Sequence, residues 1–429
     1  MTAWTLQFPP FIRVKPRRDA PFMPIVPTHA PSLRLARRAA ALQPSATLAM
    51  VGRVRKLQAQ GVEILNLTAG EPDFTPPPVV EESGIQAIRQ GKGRYTAAAG
   101  TPELRAAAAQ WIQAEVGLPY SPDEVVVTPG AKLAISQALL ALVDPGERVV
   151  IPIPSWNSYV EMVRLCEGEP VLVPCGPDGY PQVEALEAAS QDGAVALLLN
   201  TPCNPTGAVY PESLLREIGA WALEREIWVI SDEIYAALTY DGTRHVSPLR
   251  AAPGLREQGV WIGGVSKAYS MTGWRIGFLA APRPLATAVA DIQSQLVSSP
   301  NGISQVAALE AIRQGGADRE RMRQSFERRA RLVVAALKAI PGLECPVPRG
   351  AFYAFPRLRN FLGKTDPATG RTIRSGDDFV EVLLEADRVA TVGGSAFGDP
   401  QAFRLSFAAS EDTLHEALRR LAARLQALR

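Results

Sequence analysis

The stretch Ser266-Lys267-Ala268-Tyr269-Ser270-Met271-Thr272-Gly273-Trp274-Arg275 sets a lone lysine among small residues, with an arginine eight positions on. A primary amine in such a setting forms a Schiff base with a carbonyl compound once it has lost its proton. A forked guanidinium of permanent charge can hold a phosphate close by. An isolated lysine is far more often a solvated surface group, so this pair gains meaning only from its company.

That company is specific. In Ser231-Asp232-Glu233-Ile234-Tyr235 the aspartate follows an apolar run, residues 227–230. In an open α/β sheet, ligands bind at the carboxyl ends of such strands. A carboxylate there can pair with the protonated nitrogen of a pyridine ring and make that ring an electron sink, although a lone aspartate is more often a cap or a loop carboxylate. Tyr235, and Asn204 in Asn204-Pro205-Thr206-Gly207, can hydrogen-bond a phenolic oxygen on such a ring. Trp156, in Pro154-Ser155-Trp156-Asn157-Ser158-Tyr159, can stack on it, or can be ordinary core. Thr128-Pro129-Gly130-Ala131-Lys132 joins a strand to a helix, where backbone N–H groups can face an anion; turn geometry alone also favours a glycine there. Arg404, in Phe403-Arg404-Leu405-Ser406-Phe407, presents two parallel donors to a carboxylate, and its apolar strand argues against a free solvated face.

Bulk properties remove the competing chemistries. The chain has 429 residues and a formal charge of +2, too small for a nucleic-acid or membrane-surface footprint. Its four cysteines, Cys166, Cys175, Cys203 and Cys345, form no Cys-x-x-Cys pair, so neither a zinc site nor a disulfide framework is indicated and a reducing cytoplasm fits. Three histidines, His29, His245 and His415, make no ligand cluster, which argues against a metal centre or a Ser-His-Asp hydrolase. The P-loop and G-x-G-x-x-G patterns are absent. No apolar run has the roughly 18 to 20 residues of a membrane span.

The elements that must position these residues are readable from pattern. The first thirty residues hold six prolines and the basic group Arg13, Lys15, Arg17 and Arg18, which reads as a loosely attached extension rather than a signal peptide. Met23 is a candidate natural start. From residue 32 to about 60 a helix, a turn and a second helix are expected, with Ser45 or Thr47 as cap. A short strand at 64–67 leads into a Gly/Pro-rich loop around Gly70. Pro76-Pro77-Pro78 marks the crossing to a second domain, followed by a helical pattern to Gln90, a loop from Gly91 to Gly100 that holds Tyr95, and a helix from Pro102 to Val116. Seven apolar, β-branched runs then follow: 125–127, 148–151, 171–173, 194–199, 227–230, 260–262 and 277–280. Their lack of polar alternation predicts strands buried on both faces, hence a mainly parallel sheet between helix layers. A helical stretch broken at Gly315-Gly316 runs to about 339. Strands at 351–355, 389–392 and 403–407 and helices at 377–387 and 411–428 complete a smaller α+β layer. The division expected is an extension over 1–30, a small domain over 31–75 and 318–429, and a large domain over 76–317.

In this order and spacing the motifs resemble the pyridoxal-phosphate aminotransferases of fold type I, specifically the class I aspartate aminotransferase branch. The resemblance covers nearly all of residues 31 to 429. It implies that Lys267 is the Schiff-base lysine, Asp232 the partner of the pyridine nitrogen and Tyr235 that of the phenolic oxygen. It implies a phosphate cradle from Arg275, Ser266 and the Gly130-Ala131 backbone, with Trp156 as stacking ring. Gly70, Trp156, Asn204 and Arg404 match substrate-binding positions. Lys132, assisted by a Ser-x-Thr turn like Ser45 and Thr47, matches a residue that takes the second carboxylate of a dicarboxylic substrate; it could instead neutralise the cofactor phosphate. Tyr95 matches a tyrosine reaching the phosphate of a neighbouring subunit, so a homodimer with shared sites is implied. The chain departs from the pattern at Gly263, Cys203 and Gly393, none of which removes a catalytic group. The implied reaction is ping-pong transfer between an amino acid and a 2-oxoacid such as 2-oxoglutarate or oxaloacetate. Relatives with this lysine sometimes accept prephenate. A lyase or decarboxylase reusing the same carbanion, an enzyme for aromatic or neutral amino acids, and a silent binding module are the alternatives.

Overall fold

The computed structural model describes residues 34–44 and 46–429. The expectations for residues 1–30, for Met23 and for Ser45 therefore lie outside the described residues.

The seven apolar runs form one sheet. Its strands are β2 (Val125–Thr128), β3 (Arg148–Ile153), β4 (Glu169–Pro174), β5 (Ala194–Asn200), β6 (Trp228–Asp232), β7 (Gly259–Gly264) and β8 (Gly277–Ala280), after a short β1 (Leu65–Asn66) elsewhere. Their order across the sheet is β2-β8-β7-β6-β5-β3-β4. All neighbours pair in parallel except β8, which runs antiparallel to both β7 and β2. Side chains alternate between two cores: Leu197, Leu199 and Val229 face one helix layer, while Ala196, Leu198 and Ile230 face the other. Both faces are dry, which is why the runs carry no polar alternation. Each fully buried Val, Leu or Ile contributes about 1.5 to 3 kcal/mol, so this double core holds the strand ends rigidly.

A further core gathers the smaller strands β9 (Tyr353–Ala354), β10 (Val389–Ala390) and β12 (Phe403–Ser406) with the helices Gly316–Lys338, Gly376–Asp387 and Glu411–Ala427, while β11 (Val392–Gly393) packs Val392 in a small cluster with Phe355, Phe397 and Ala402. The side chains of Ser375 and Ser410 accept from the backbone N–H three residues on, which starts two of these helices. Here the expectation of a single strand over 389–392 is corrected. The chain pairs β10 with β1 in parallel, then turns at Thr391 and pairs β11 with β12 antiparallel, so two short strands serve two sheets. Gly315 separates the helices Gly302–Gln314 and Gly316–Lys338, as the glycine pair indicated. Thr47 does not cap its helix, which begins at Ala46; it lies in the first turn instead. Among the described residues no helix is long and apolar enough to cross a membrane.

Candidate active site

The parallel strands end on a single edge, and the polar residues that the sequence singled out cluster there. Asn200 closes β5: its amide donates to the Asp232 carbonyl (2.9 Å) and its Oδ1 accepts from the Asn204 N–H (2.8 Å), tying the two loops together. Asp232 closes β6 and is buried, 3 % exposed. Its Oδ2 accepts from the Tyr159 hydroxyl at 2.6 Å and its Oδ1 from the Ile234 N–H at 3.1 Å. Burial pushes this carboxyl up to about 6, against the pull of those two donors. Among the described residues no cation is bonded to this buried carboxylate, which suits it to a cationic ring nitrogen.

Lys267 follows β7 on the short helix Val265–Ala268. Its Nζ donates to the Gly70 carbonyl at 2.6 Å. Desolvation lowers the amine to about 8, with Arg275 and Arg404 acting in the same sense and Glu71 opposing them. Near neutral pH such an amine holds a usable free-base fraction, which is what attack on a carbonyl requires. The antiparallel reversal of β8 brings Arg275 back to the same edge, where it donates to the carbonyls of Thr272 (2.8 Å) and Pro129 (3.4 Å). Gly130 precedes the helix Ala131–Leu142 with φ +89°, and a side chain there would run into the Arg275 guanidinium. A left-handed glycine, a helix N-terminus and a guanidinium thus meet in one anion cradle, with Ser266 beside it on the wall of the cavity.

Arg404, on β12, is 1 % exposed. It donates to Asn204 Oδ1 (3.0 Å) and to the Thr68 carbonyl (3.0 Å), and its guanidinium lies over the rings of Tyr353 (4.4 Å) and Phe397 (4.9 Å). Among the described residues it makes no ion pair with a carboxylate, and its Nε has no partner. A charge so buried and uncompensated is arranged for an anion from outside.

Lys132 Nζ sits 4.6 Å from the Trp156 ring centre and 3.4 Å from Ser158 Oγ. Desolvation, then the nearby Arg275, lowers it; among the described residues no carboxylate pairs with it. Thr47 lines the same cavity with a buried, unpartnered hydroxyl. Gly70, Ala131, Trp156, Asn204, Asp232, Tyr235, Lys267, Arg275 and Arg404 also line it. Gly130 stands behind the wall, and Tyr95 lies apart from the cavity, 88 % exposed.

Two tyrosines were not picked out by sequence reasoning as functional: Tyr159, the donor to Asp232, and Tyr353, whose hydroxyl lies 3.0 Å from that of Tyr235. Tyr159 stands three residues after Trp156 in a motif already singled out, which was the signal available for it; Tyr353 carried none. Of the departures, Gly263 makes room for the Trp261 ring and Gly393 for Asp377, so both are packing requirements here. Cys203 is buried, its thiol 3.7 Å from the Pro154 carbonyl.

The donor set fits pyridoxal phosphate. An amine of lowered basicity, a buried carboxylate without a cation and an anion cradle line one cavity, together with an unpaired guanidinium. Comparison with known proteins agrees. The model of the family "Aminotransferase class I and II" matches residues 62–421. An aspartate aminotransferase of Rhizobium meliloti (strain 1021) is 42 % identical over 90 % of this chain and 96 % of its own length. An aspartate/prephenate aminotransferase of Cereibacter sphaeroides is 40 % identical over 90 % and 96 %. The structure of the aspartate aminotransferase from Thermus thermophilus with maleate superimposes with a TM-score of 0.85 at 39 % identity, covering 91 % of this chain and all of that one. Geometry and kinship lead to one conclusion: this chain belongs to the class I and II aminotransferase family and is a pyridoxal-phosphate-dependent aminotransferase.

Proposed function

We propose that the chain moves an amino group between a dicarboxylic amino acid, aspartate or glutamate, and a 2-oxoacid such as 2-oxoglutarate or oxaloacetate. The observation that carries this reading is a pair of cations in one cavity, Arg404 and Lys132, that have no carboxylate partner among the described residues. Two carboxylates on one small substrate would satisfy both. The maleate of the Thermus thermophilus relative is such a molecule.

When bound, pyridoxal phosphate supplies the electron sink that makes the substrate Cα–H acidic. The chain supplies everything else. Lys267 Nζ would hold the cofactor's aldehyde carbon and, as a free amine, would be the base positioned to take the substrate Cα proton. Asp232 Oδ1 and Oδ2 keep the ring nitrogen protonated, with Tyr159 orienting that carboxylate. Tyr235 and Asn204 serve the phenolic oxygen, Trp156 the ring face, and Arg275, Ser266 and the Gly130-Ala131 backbone the phosphate. Arg404, itself held by its hydrogen bond to Asn204 Oδ1, fixes the substrate α-carboxylate. Lys132, with Thr47 on the wall of the same cavity and Ser45 two positions before Thr47 in the sequence, receives the distal carboxylate.

Lys132→Ala is expected to lower kcat/KM for aspartate and glutamate by about ten- to a hundredfold, the worth of a charge-assisted pair of roughly 1.5 to 3 kcal/mol. Alanine and phenylalanine change far less. Assay against an amino-acid panel checks this, and an equal loss for every substrate would place Lys132 on the phosphate instead. Prephenate, a keto acid, belongs in the same assay as an amino acceptor, since the Cereibacter sphaeroides relative bears its name.

The working unit is a cytoplasmic homodimer, with residues 31–75 and 318–429 as one jaw and 76–317 as the other. Tyr95, exposed on its loop, reaches the phosphate of the adjoining subunit. Mixing inactive Tyr95→Phe and Lys267→Ala chains should then restore activity, because each hybrid dimer regains one intact site. No gain on mixing would rule out sharing.

A further inference from the structure

We infer that Tyr353 is a positioning residue for Tyr235: its hydroxyl donates to the Tyr235 hydroxyl and so turns the Tyr235 proton toward the phenolic oxygen of the bound cofactor. This rests on the pyridoxal-phosphate reading of the pocket.

The two hydroxyls lie 3.0 Å apart, both buried, and either can be the donor in that pair. A phenol has one proton and two lone pairs, whereas an ionised phenolic oxygen only accepts. Were Tyr235 to spend its proton on Tyr353, nothing would be left for the cofactor. One polarity satisfies all three oxygens: Tyr353 to Tyr235, and Tyr235 to the cofactor. Such a relay strengthens its second bond, because a hydroxyl that accepts a hydrogen bond becomes a better donor.

The fold fixes Tyr353 for this. It sits on β9, paired with Ser406 of β12, and its ring is packed between Phe352 (4.7 Å) and the Arg404 guanidinium (4.4 Å). That guanidinium favours a polarised O–H on the ring beside it, acting against the burial that holds the phenol protonated. The same side chain therefore joins the substrate's carboxylate clamp to the cofactor's phenolic oxygen, across 118 residues of sequence.

Tyr353→Phe keeps the ring under Arg404 and removes only the hydroxyl. The readout is the pH midpoint of the visible absorption of the resting, cofactor-loaded enzyme. A phenolic oxygen with a weaker donor is more basic and keeps its neighbouring proton to higher pH, so the midpoint rises by about half to one pH unit. Tyr235→Phe raises it further, and Tyr353→Phe added to Tyr235→Phe shifts nothing more. Installing 3-fluorotyrosine at 353, a stronger donor, moves the midpoint down, a sign that a merely structural role would not produce. An unchanged midpoint in Tyr353→Phe, or the same shift with and without the Tyr235 hydroxyl, overturns the inference. A wild-type protein that binds pyridoxal phosphate without any visible band overturns the cofactor reading itself, which is a separate outcome.

Discussion

Lys267→Ala turns over aspartate at least about 10⁴-fold more slowly than the parent enzyme, the upper range for loss of a positioned acid–base group. That factor corresponds to about 5.5 kcal/mol of transition-state stabilisation. The basis is geometric: Nζ is the one amine in the cavity whose basicity is lowered to about 8, and Lys132, the other lysine there, stacks on Trp156 instead. Borohydride treatment of the parent followed by peptide mass analysis should place the reduced cofactor on Lys267, and the variant should show no such adduct. Turnover of Lys267→Ala at the parent rate would end the assignment. The pH dependence carries a sign as well. Because burial lowers this amine from its ordinary value of 10.5, the free base is half populated near pH 8 instead. Capture of cofactor by the stripped protein should accelerate as pH rises to about 8 and level off above it. An acceleration continuing past pH 10 would indicate an ordinary, solvated lysine.

Arg404→Ala is expected to cost about 2 to 5 kcal/mol in kcat/KM, from tens to several thousandfold, as for other buried charge pairs cut at one partner. The substitution removes the donors to Asn204 Oδ1 and the Thr68 carbonyl together with the clamp, so Asn204 is freed to reorient as well. The loss should be equal for aspartate, alanine and phenylalanine, since every amino acid brings an α-carboxylate. That uniformity separates Arg404 from Lys132. Arg404→Lys should recover only part of the loss, because a point charge cannot make two parallel bonds. A deficit confined to dicarboxylic substrates would exchange the roles of the two cations.

Much of this was legible before any coordinates. Unbroken apolar runs such as 194–199, bounded by turn signals, favoured strands covered on both sides over buried helix segments, and Asp232 follows one such run at its carboxyl end. The antiparallel direction of β8 was not legible, because periodicity carries no direction. Nor was the switch of sheets at Thr391, where two residues on each side serve different partners. Thr47 was misread as a cap because a threonine after a proline suits either the boundary or the first turn. Tyr159 and Tyr353 escaped notice for a different reason. Each acts through one hydroxyl on a partner 73 or 118 residues away, and a tyrosine in an apolar context is otherwise indistinguishable from core.

The separations along the chain have a further meaning for biogenesis. Lys267 meets Gly70 across 197 residues, and Arg404 meets Thr68 across 336. The ribosome therefore releases the whole phosphate cradle and the tether lysine, all encoded by residue 275, well before Arg404 is made. At about 5 to 20 residues per second the interval is on the order of ten seconds. A nascent chain can thus acquire its cofactor pocket while the carboxylate clamp does not yet exist, so vitamin capture during translation would come before competence toward amino acids.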